Sequence, residues 1–264
     1  QSGTGWGSGN VSGNTQPFFS DGFEGGQLNP TNSVTYSNDR GTPVRCASTT
    51  ANPYAGSYGL QMTFNIPVSL GGSSRTQLNM SLGRQLQEIW IEYYLFVPSN
   101  FTPTPSQMKQ IRLYGNTYDS LNKAGASTFA ISGEQRMRYM YTWKGYDTSL
   151  VGAGPAGETN AQSPTSVFGA SGDLNRFVRH RWHFKMVSAL NADDAEFRYW
   201  VDDTLAILYT NIPARYDPTT PYWDQLYILG SADAPDGSSY PFGNQEVVCT
   251  LDTLRLYDTN PGWV

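Results

Sequence analysis

The chain has 264 residues, of which 15% are charged, 38% hydrophobic and 14% aromatic, with a formal net charge of -5. That balance, with no basic run, argues against a nucleic-acid or anionic-lipid surface, and no apolar run reaches the ~18 residues needed to span a bilayer. The length suits one large all-β domain, and 27 Gly and 17 Tyr among many Ser, Thr, Asn and Gln suit a loop-rich twisted sheet rather than a helical bundle.

Residues 1–16, QSGTGWGSGNVSGNTQ, read as a Gly/Ser-rich N-terminal arm with Trp6 as its anchor. Its expected role is self-association or contact with a scaffold. Gln1 in place of Met is expected of a chain from which an upstream segment has been removed. Residues 17–264 form the expected single domain. Short strand candidates separated by turn residues follow one another, among them PFFSDGF, YGLQMTFN, EIWIEYYLFV, MKQIRLYG and RMRYMYTW. After a Gly-, Pro- and Ala-rich loop at 151–172 come HRWHFKMVS, AEFRYWV, LAILYTN, DQLYILGS and EVVCTLDTLRLYD. LNRFVR (174–179) is the one stretch expected to form a short helical turn. WVDDTLAIL reads as a hairpin with Asp202 and Asp203 at the turn. This many short strands predict two packed antiparallel sheets, a β-sandwich or jelly roll.

Chemistry concentrates between Met108 and Tyr146. In RMRYMYTW (136–143) the period of two puts Arg136 and Arg138 on one face and Tyr139, Tyr141 and Trp143 on the other. Aromatic faces stack on sugars, so the tyrosine face can line a groove for a sugar polymer, the alternative being half-buried aromatics that only pack. Cys46 and Cys249 are the only cysteines, and each sits in a strand-like run. A disulfide between them would fit an extracellular protein; the alternative is two buried thiols. His180 and His183, three apart on a strand, point to opposite faces and cannot share a metal ion without a bulge.

FFSDGFEGG, EIWIEYYLFVPSNF, RWHFKMVSALNADDAEFRYWVDD and LDTLRLYD resemble the first, central, hairpin and closing strands of the concanavalin A-like jelly rolls. That superfamily holds lectins, glucanases, polysaccharide lyases and phage-borne surface proteins, so the resemblance implies the fold more than the function. Within it the chain resembles the alginate- and glucuronan-lyase type, where a lysine strand reading like KLPGLYGG precedes a Tyr-x-Tyr strand. Lys109 in MKQIRLYGN matches the lysine, and Tyr139 and Tyr141 match the pair. The family's intervening Ser-x-Arg is Ser127-Thr-Phe129 here, so its arginine is missing. IWIEYYLFVPSNF and RLYGNTYDSLNKAGAS also resemble phage-encoded lectin-like domains that decorate capsids or fibres.

Three functions follow as expectations. The leading one is a non-catalytic domain, extracellular or on a virion surface, that recognises a polysaccharide or cell-surface glycan or serves as surface structure. Its ligand-binding residues would be Trp90, Glu92, Arg112, Arg136, Arg138 and Trp143. The alternative is a lyase that cleaves a uronate polymer by β-elimination, with Lys109 or Arg112 neutralising the carboxylate and Tyr139 and Tyr141 moving protons. Arg136 and Arg138 point away from those tyrosines if the strand is regular. The third is a jelly-roll glycoside hydrolase using Glu88 and Glu92, although Trp90 stands where that signature has an aspartate. No cofactor is expected beyond a structural calcium ion, which the resemblance places at Asp252 with Glu24 or Asp21.

Overall fold

The computed structural model of the chain describes residues 16–25, 35–37, 46–64, 74–101, 105–117, 121–131, 134–143, 146–150, 166–168, 172–233, 242 and 245–263. Residues 1–15 of the expected arm, Trp6 included, and most of the 151–172 loop lie outside the described residues. The alternating segments become strands β1 (Phe19–Asp21), β2 (Thr35–Ser37), β3 (Cys46–Thr49), β4 (Gly59–Phe64), β5 (Ser74–Arg75) and β6 (Leu78–Leu86). They continue as β7 (Glu88–Phe96), β8 (Gln107–Tyr114), β9 (Ala124–Ile131), β10 (Glu134–Trp143), β11 (Tyr146–Leu150) and β12 (Ser166–Val167). The last six are β13 (Phe177–Lys185), β14 (Ala195–Val201), β15 (Thr204–Ile212), β16 (Trp223–Ile228), β17 (Ser231–Asp233) and β18 (Val247–Tyr257). No helix forms among the described residues: LNRFVR makes a turn and then enters β13. Accordingly, none of them belongs to a helix long and apolar enough to cross a membrane.

An eight-stranded sheet runs β15-β14-β13-β7-β18-β4-β3, with β1 beside β18. A ten-stranded sheet runs β11-β10-β9-β8-β16-β6-β2, with β12, β17 and β5 attached at its margins. The strand pairings among the described residues, from β10 with β9 to β13 with β7, are antiparallel. This is the all-β, two-sheet jelly roll that the strand pattern predicts. The Asp202–Asp203 turn also forms as expected. Both residues have positive φ, 44° and 72°, the conformation in which a two-residue turn follows the strands' twist.

The core fills the space between the sheets. Ile89, Ile91, Tyr93 and Leu95 of β7, Trp182 and Phe184 of β13, and Phe197 and Tyr199 of β14 enter from one side, each at most 1% exposed. Met108, Ile111 and Leu113 of β8 and Met137, Tyr139 and Tyr141 of β10 enter from the other. The Tyr139 ring stacks on Phe197 across the interface, with centroids 4.8 Å apart. Rings of this size dominate the burial energy of a sandwich, so the phase of β10 is settled by its tyrosines going inside.

The expected disulfide does not form: Cys46 and Cys249 are buried free thiols. Both are register partners of Met62, which places them on the two strands flanking β4. Two strand spacings are about 10 Å, beyond the ~7 Å that a disulfide spans without backbone movement. Burial pushes the Cys249 thiol up to about 12.

The two histidines face opposite ways, as their spacing predicts. His180 points into the core beside Tyr93 and Trp182, with Nδ1 2.8 Å from the Tyr199 hydroxyl. Desolvation takes its imidazole down to about 4, against partial opposition from Asp173 and Asp202. The unfolded chain therefore holds the extra proton between ~6.5 and the folded value. Stability from this group is complete above ~6.5 and is lost as pH falls toward the folded value, by roughly 3 kcal/mol in all. Urea unfolding across this range is expected to show a steeper acid loss for the native chain than for His180→Gln. Parallel profiles would refute the assignment.

Candidate functional site

The site begins with an irregularity in β8. Lys109 and Arg112 are three positions apart, and a regular strand would send them to opposite faces. The register jumps between Lys109, opposite Ser127, and Ile111, opposite Ala126. Gln110 is thus the extra residue of a β-bulge, and the phase of the strand resets behind it. Met108, Ile111 and Leu113 all remain in the core, while Lys109 and Arg112 both emerge on the outer face of the ten-stranded sheet.

Neighbouring strands complete the surface. Tyr227 on β16 is the register partner of Arg112 and of Asn79 on β6. It meets Tyr114 edge-on, with ring centroids 4.9 Å apart. Arg75, Gln77, Asn79, Lys109, Arg112, Tyr227 and Ser231 enclose a cleft of about 310 Å³. Arg75 Nη2 donates to Gln77 Oε1 at 3.0 Å, and Gln77 Nε2 donates to Asn79 Oδ1, so one wall is a chain of oriented amides. Arg112 Nη2 donates to Ser127 Oγ at 3.4 Å, a long bond that leans the guanidinium across β9.

Two glycines make room for the cations. A Cβ at Gly125 would lie 2.3 Å from the Ile111 carbonyl oxygen and 3.0 Å from Arg112 Cδ and Nη1. A Cβ at Gly230 would lie 3.0 Å from Lys109 Cβ. Asp233 at the end of β17 supplies the nearby negative charge. Desolvation raises its carboxyl pKa while Lys109 pulls it back. On β10, Arg138 is opposite Ser127 and Arg136 opposite Phe129. Both arginines therefore share the outer face with Lys109 and Arg112.

Of the residues the sequence singles out, Lys109, Arg112, Arg136 and Arg138 come together on this face. Tyr139 and Tyr141 do not. They are 1% and 4% exposed inside the sandwich, and desolvation pushes the Tyr139 hydroxyl well above the usual tyrosine range. Of the two roles open to this face, groove lining or packing, Tyr139 and Tyr141 take packing. Trp90 and Glu92 lie on the outer face of the other sheet. Trp90 is buried against Trp200, Trp263 and His183. Glu92 accepts from Arg181 Nε at 2.8 Å and Arg255 Nη1 at 2.5 Å, and Glu88 is bonded to His183 Nε2 at 2.7 Å. Glu92 is committed to two arginines and Glu88 to a histidine hydrogen bond, both on the sheet opposite the cleft, so they form no carboxylate pair in it. The Trp143 side chain lies outside the described residues.

Glu24 and Asp252, the expected calcium pair, address one loop. Asp252 Oδ2 accepts from the Tyr54 and Ala55 N–H groups at 2.8 and 3.2 Å. Glu24 accepts from those of Ser57 and Tyr58 at 2.9 and 3.4 Å. The groups meeting these oxygens are N–H donors, which suit a carboxylate, and no three His, Cys, Asp or Glu converge among the described residues. Sequence reasoning missed Tyr227, Asn79, Gln77 and Arg75. Tyr227 had a legible signal, since it is the outward residue between Leu226 and Ile228 in DQLYIL, both fully buried.

With this geometry established, solved structures provide the comparison. The endo-β-1,4-glucuronan lyase of the fungus Trichoderma reesei superposes with a TM-score of 0.60 at 12% identity, covering 94% of this chain and 100% of its own. The fold shared with it is a two-sheet antiparallel jelly roll. The alginate lyase Aly36B in complex with an alginate trisaccharide matches with a TM-score of 0.53 at 11% identity, covering 76% of this chain and 82% of its own. A structure from human gut microbiota that express endo-acting O-glycanases to initiate mucin breakdown matches with a TM-score of 0.54 at 11% identity, over 93% of this chain and 100% of its own. No protein-family model and no curated sequence matches the chain. At these identities the likeness is one of fold.

Proposed function

We propose that the chain recognises an acidic, uronate-bearing polysaccharide on the outer face of the ten-stranded sheet. One observation carries this reading: the bulge at Gln110 brings Lys109 and Arg112 to one face, opposite Tyr227, in a cleft whose other wall is polar amides. Arginine forks match carboxylates, an aromatic ring supplies stacking, and amides bond to sugar hydroxyls. In a chain of net charge -5, the grouping of Lys109, Arg112, Arg136 and Arg138 on this face is suited to an anionic ligand. The glucuronan and alginate lyases among its structural neighbours act on such polymers. An extracellular setting, a virion surface included, fits this role.

β-Elimination is the second reading, and the pairing of Tyr227 with Arg112 favours it. Arg112 and Lys109 would neutralise the carboxylate at C5 of a uronate. Tyr227, as phenolate, would take the C5 proton as the C4–O bond breaks and a C4=C5 double bond forms. The resulting phenol would return a proton to the departing oxygen. The inward Tyr139 and Tyr141 have no part in this scheme.

One experiment separates the readings. Glucuronan and alginate oligomers are titrated into the native chain and Tyr227→Phe, with the ultraviolet absorbance of unsaturated uronate followed in parallel. Recognition alone predicts saturable binding, flat absorbance and similar affinity for both proteins. Rising absorbance that Tyr227→Phe abolishes would establish the lyase. No binding by the native chain to any acidic oligomer would overturn both.

A further inference from the structure

A second group of cations lies beyond the cleft, on β10. Arg138 is the register partner of Ser127, which is also the partner of Lys109. One row across β8, β9 and β10 therefore reads Lys109, Ser127, Arg138. Ser127 is fully buried, so the centre of the row is low and its ends stand up as cations. The Arg138 guanidinium does not lean toward the cleft. It lies over the Phe129 ring, 4.4 Å from the centroid, one step along β9 in the direction opposite to Gly125, where Arg112 lies. Arg136 faces the same ring as its cross-strand partner.

The stacking on Phe129 holds the guanidinium plane while leaving its N–H edge available to an anion. Its Nε is buried without a hydrogen-bond partner. Desolvation pulls its pKa below the usual arginine value, and no carboxylate among the described residues enters that balance. An arriving anion would meet a guanidinium already held in its plane and not engaged by any of those carboxylates.

We propose that Arg138, held over Phe129, is a second anion subsite, so that an acidic polymer lies across the strands and is recognised by the spacing of its charges. The proposal rests on the acidic-polysaccharide reading given above. β8 and β10 are separated by two strand spacings, about 10 Å. That is close to the repeat of two sugar rings in an extended 1,4-linked chain, in which alternate carboxylates fall on the same side. A disaccharide fills the Lys109–Arg112 cleft alone, and a tetrasaccharide reaches Arg138.

The test measures equilibrium binding of oligoglucuronates of two, four and six units to the native chain, Arg138→Gln and Phe129→Leu. For the native chain, affinity is expected to rise roughly tenfold or more between two and four units, as the second contact becomes intramolecular. Arg138→Gln is expected to lose that rise while binding the two-unit ligand as before, which also reports an intact fold. Phe129→Leu keeps the charge but frees its plane, and a partial loss is expected. A rise that survives in Arg138→Gln overturns the subsite, as does a loss equal at every length, which would mark a general electrostatic effect. Absence of binding at all lengths by the native chain overturns the parent reading too, so the two failures are distinguishable.

Discussion

Arg112→Gln is expected to lower affinity for an acidic oligosaccharide about a hundredfold, the usual consequence of truncating one member of a desolvated charge pair. Arg112 is only 9% exposed, so its charge acts in a shielded setting where a bound carboxylate is little screened by salt. Its guanidinium is positioned by Gly125 beneath it and by Ser127 Oγ beside it, so little side-chain entropy remains to be lost on binding. Titration calorimetry should show the loss with no change in melting temperature. Tyr139→Phe, in contrast, should leave affinity unaltered because its ring is part of the core. Retention of native affinity by Arg112→Gln, or its loss in Tyr139→Phe, would displace the site from this face.

Gly125→Ala is expected to remove stability and binding together. The added carbon would meet the Ile111 carbonyl oxygen at 2.3 Å. That atom belongs to the backbone beside the bulge, so relief requires β8 and β9 to separate. Overpacking of this kind costs about 3 kcal/mol, and Arg112 loses the floor it rests on. Gly230→Ala provides the comparison. There the added carbon meets Lys109 Cβ at 3.0 Å and Cδ at 3.3 Å, contacts that need a shift of only a few tenths of an ångström, so stability should fall less than affinity. Urea unfolding and titration on both variants check the order. If Gly125→Ala is as stable as the native chain, the close approach of β8 and β9 is not what seats Arg112.

Much of the architecture was legible before any fold existed. Alternation in EIWIEYYLF, RMRYMYTW and AEFRYWV identifies strands because side chains of a pleated backbone must alternate. The Asp202–Asp203 hairpin is a local event determined by turn chemistry. The opposite facing of His180 and His183 needs only their spacing. The grouping of Arg136 with Arg138, apart from Tyr139 and Tyr141, is likewise correct in the structure.

What alternation does not say is which face meets the other sheet. For β10 that was decided by burial, since Tyr139 packed on Phe197, with Tyr141 stacked on Tyr139, yields more than two arginines would. Nor does alternation survive a bulge: one extra residue at Gln110 joins Lys109 and Arg112 on one face, where a regular strand would part them. The cysteines show the third limit. Both strands were foreseen, but β4 lies between them and holds the thiols about two strand spacings apart. The sequence by itself determined the strands, their two-faced pattern and the sandwich class, because these follow from local backbone geometry and summed composition. The tertiary structure alone decided which strands are neighbours and which face each turns to water, and so which cations meet Tyr227, because those choices are made by contacts between residues distant along the chain.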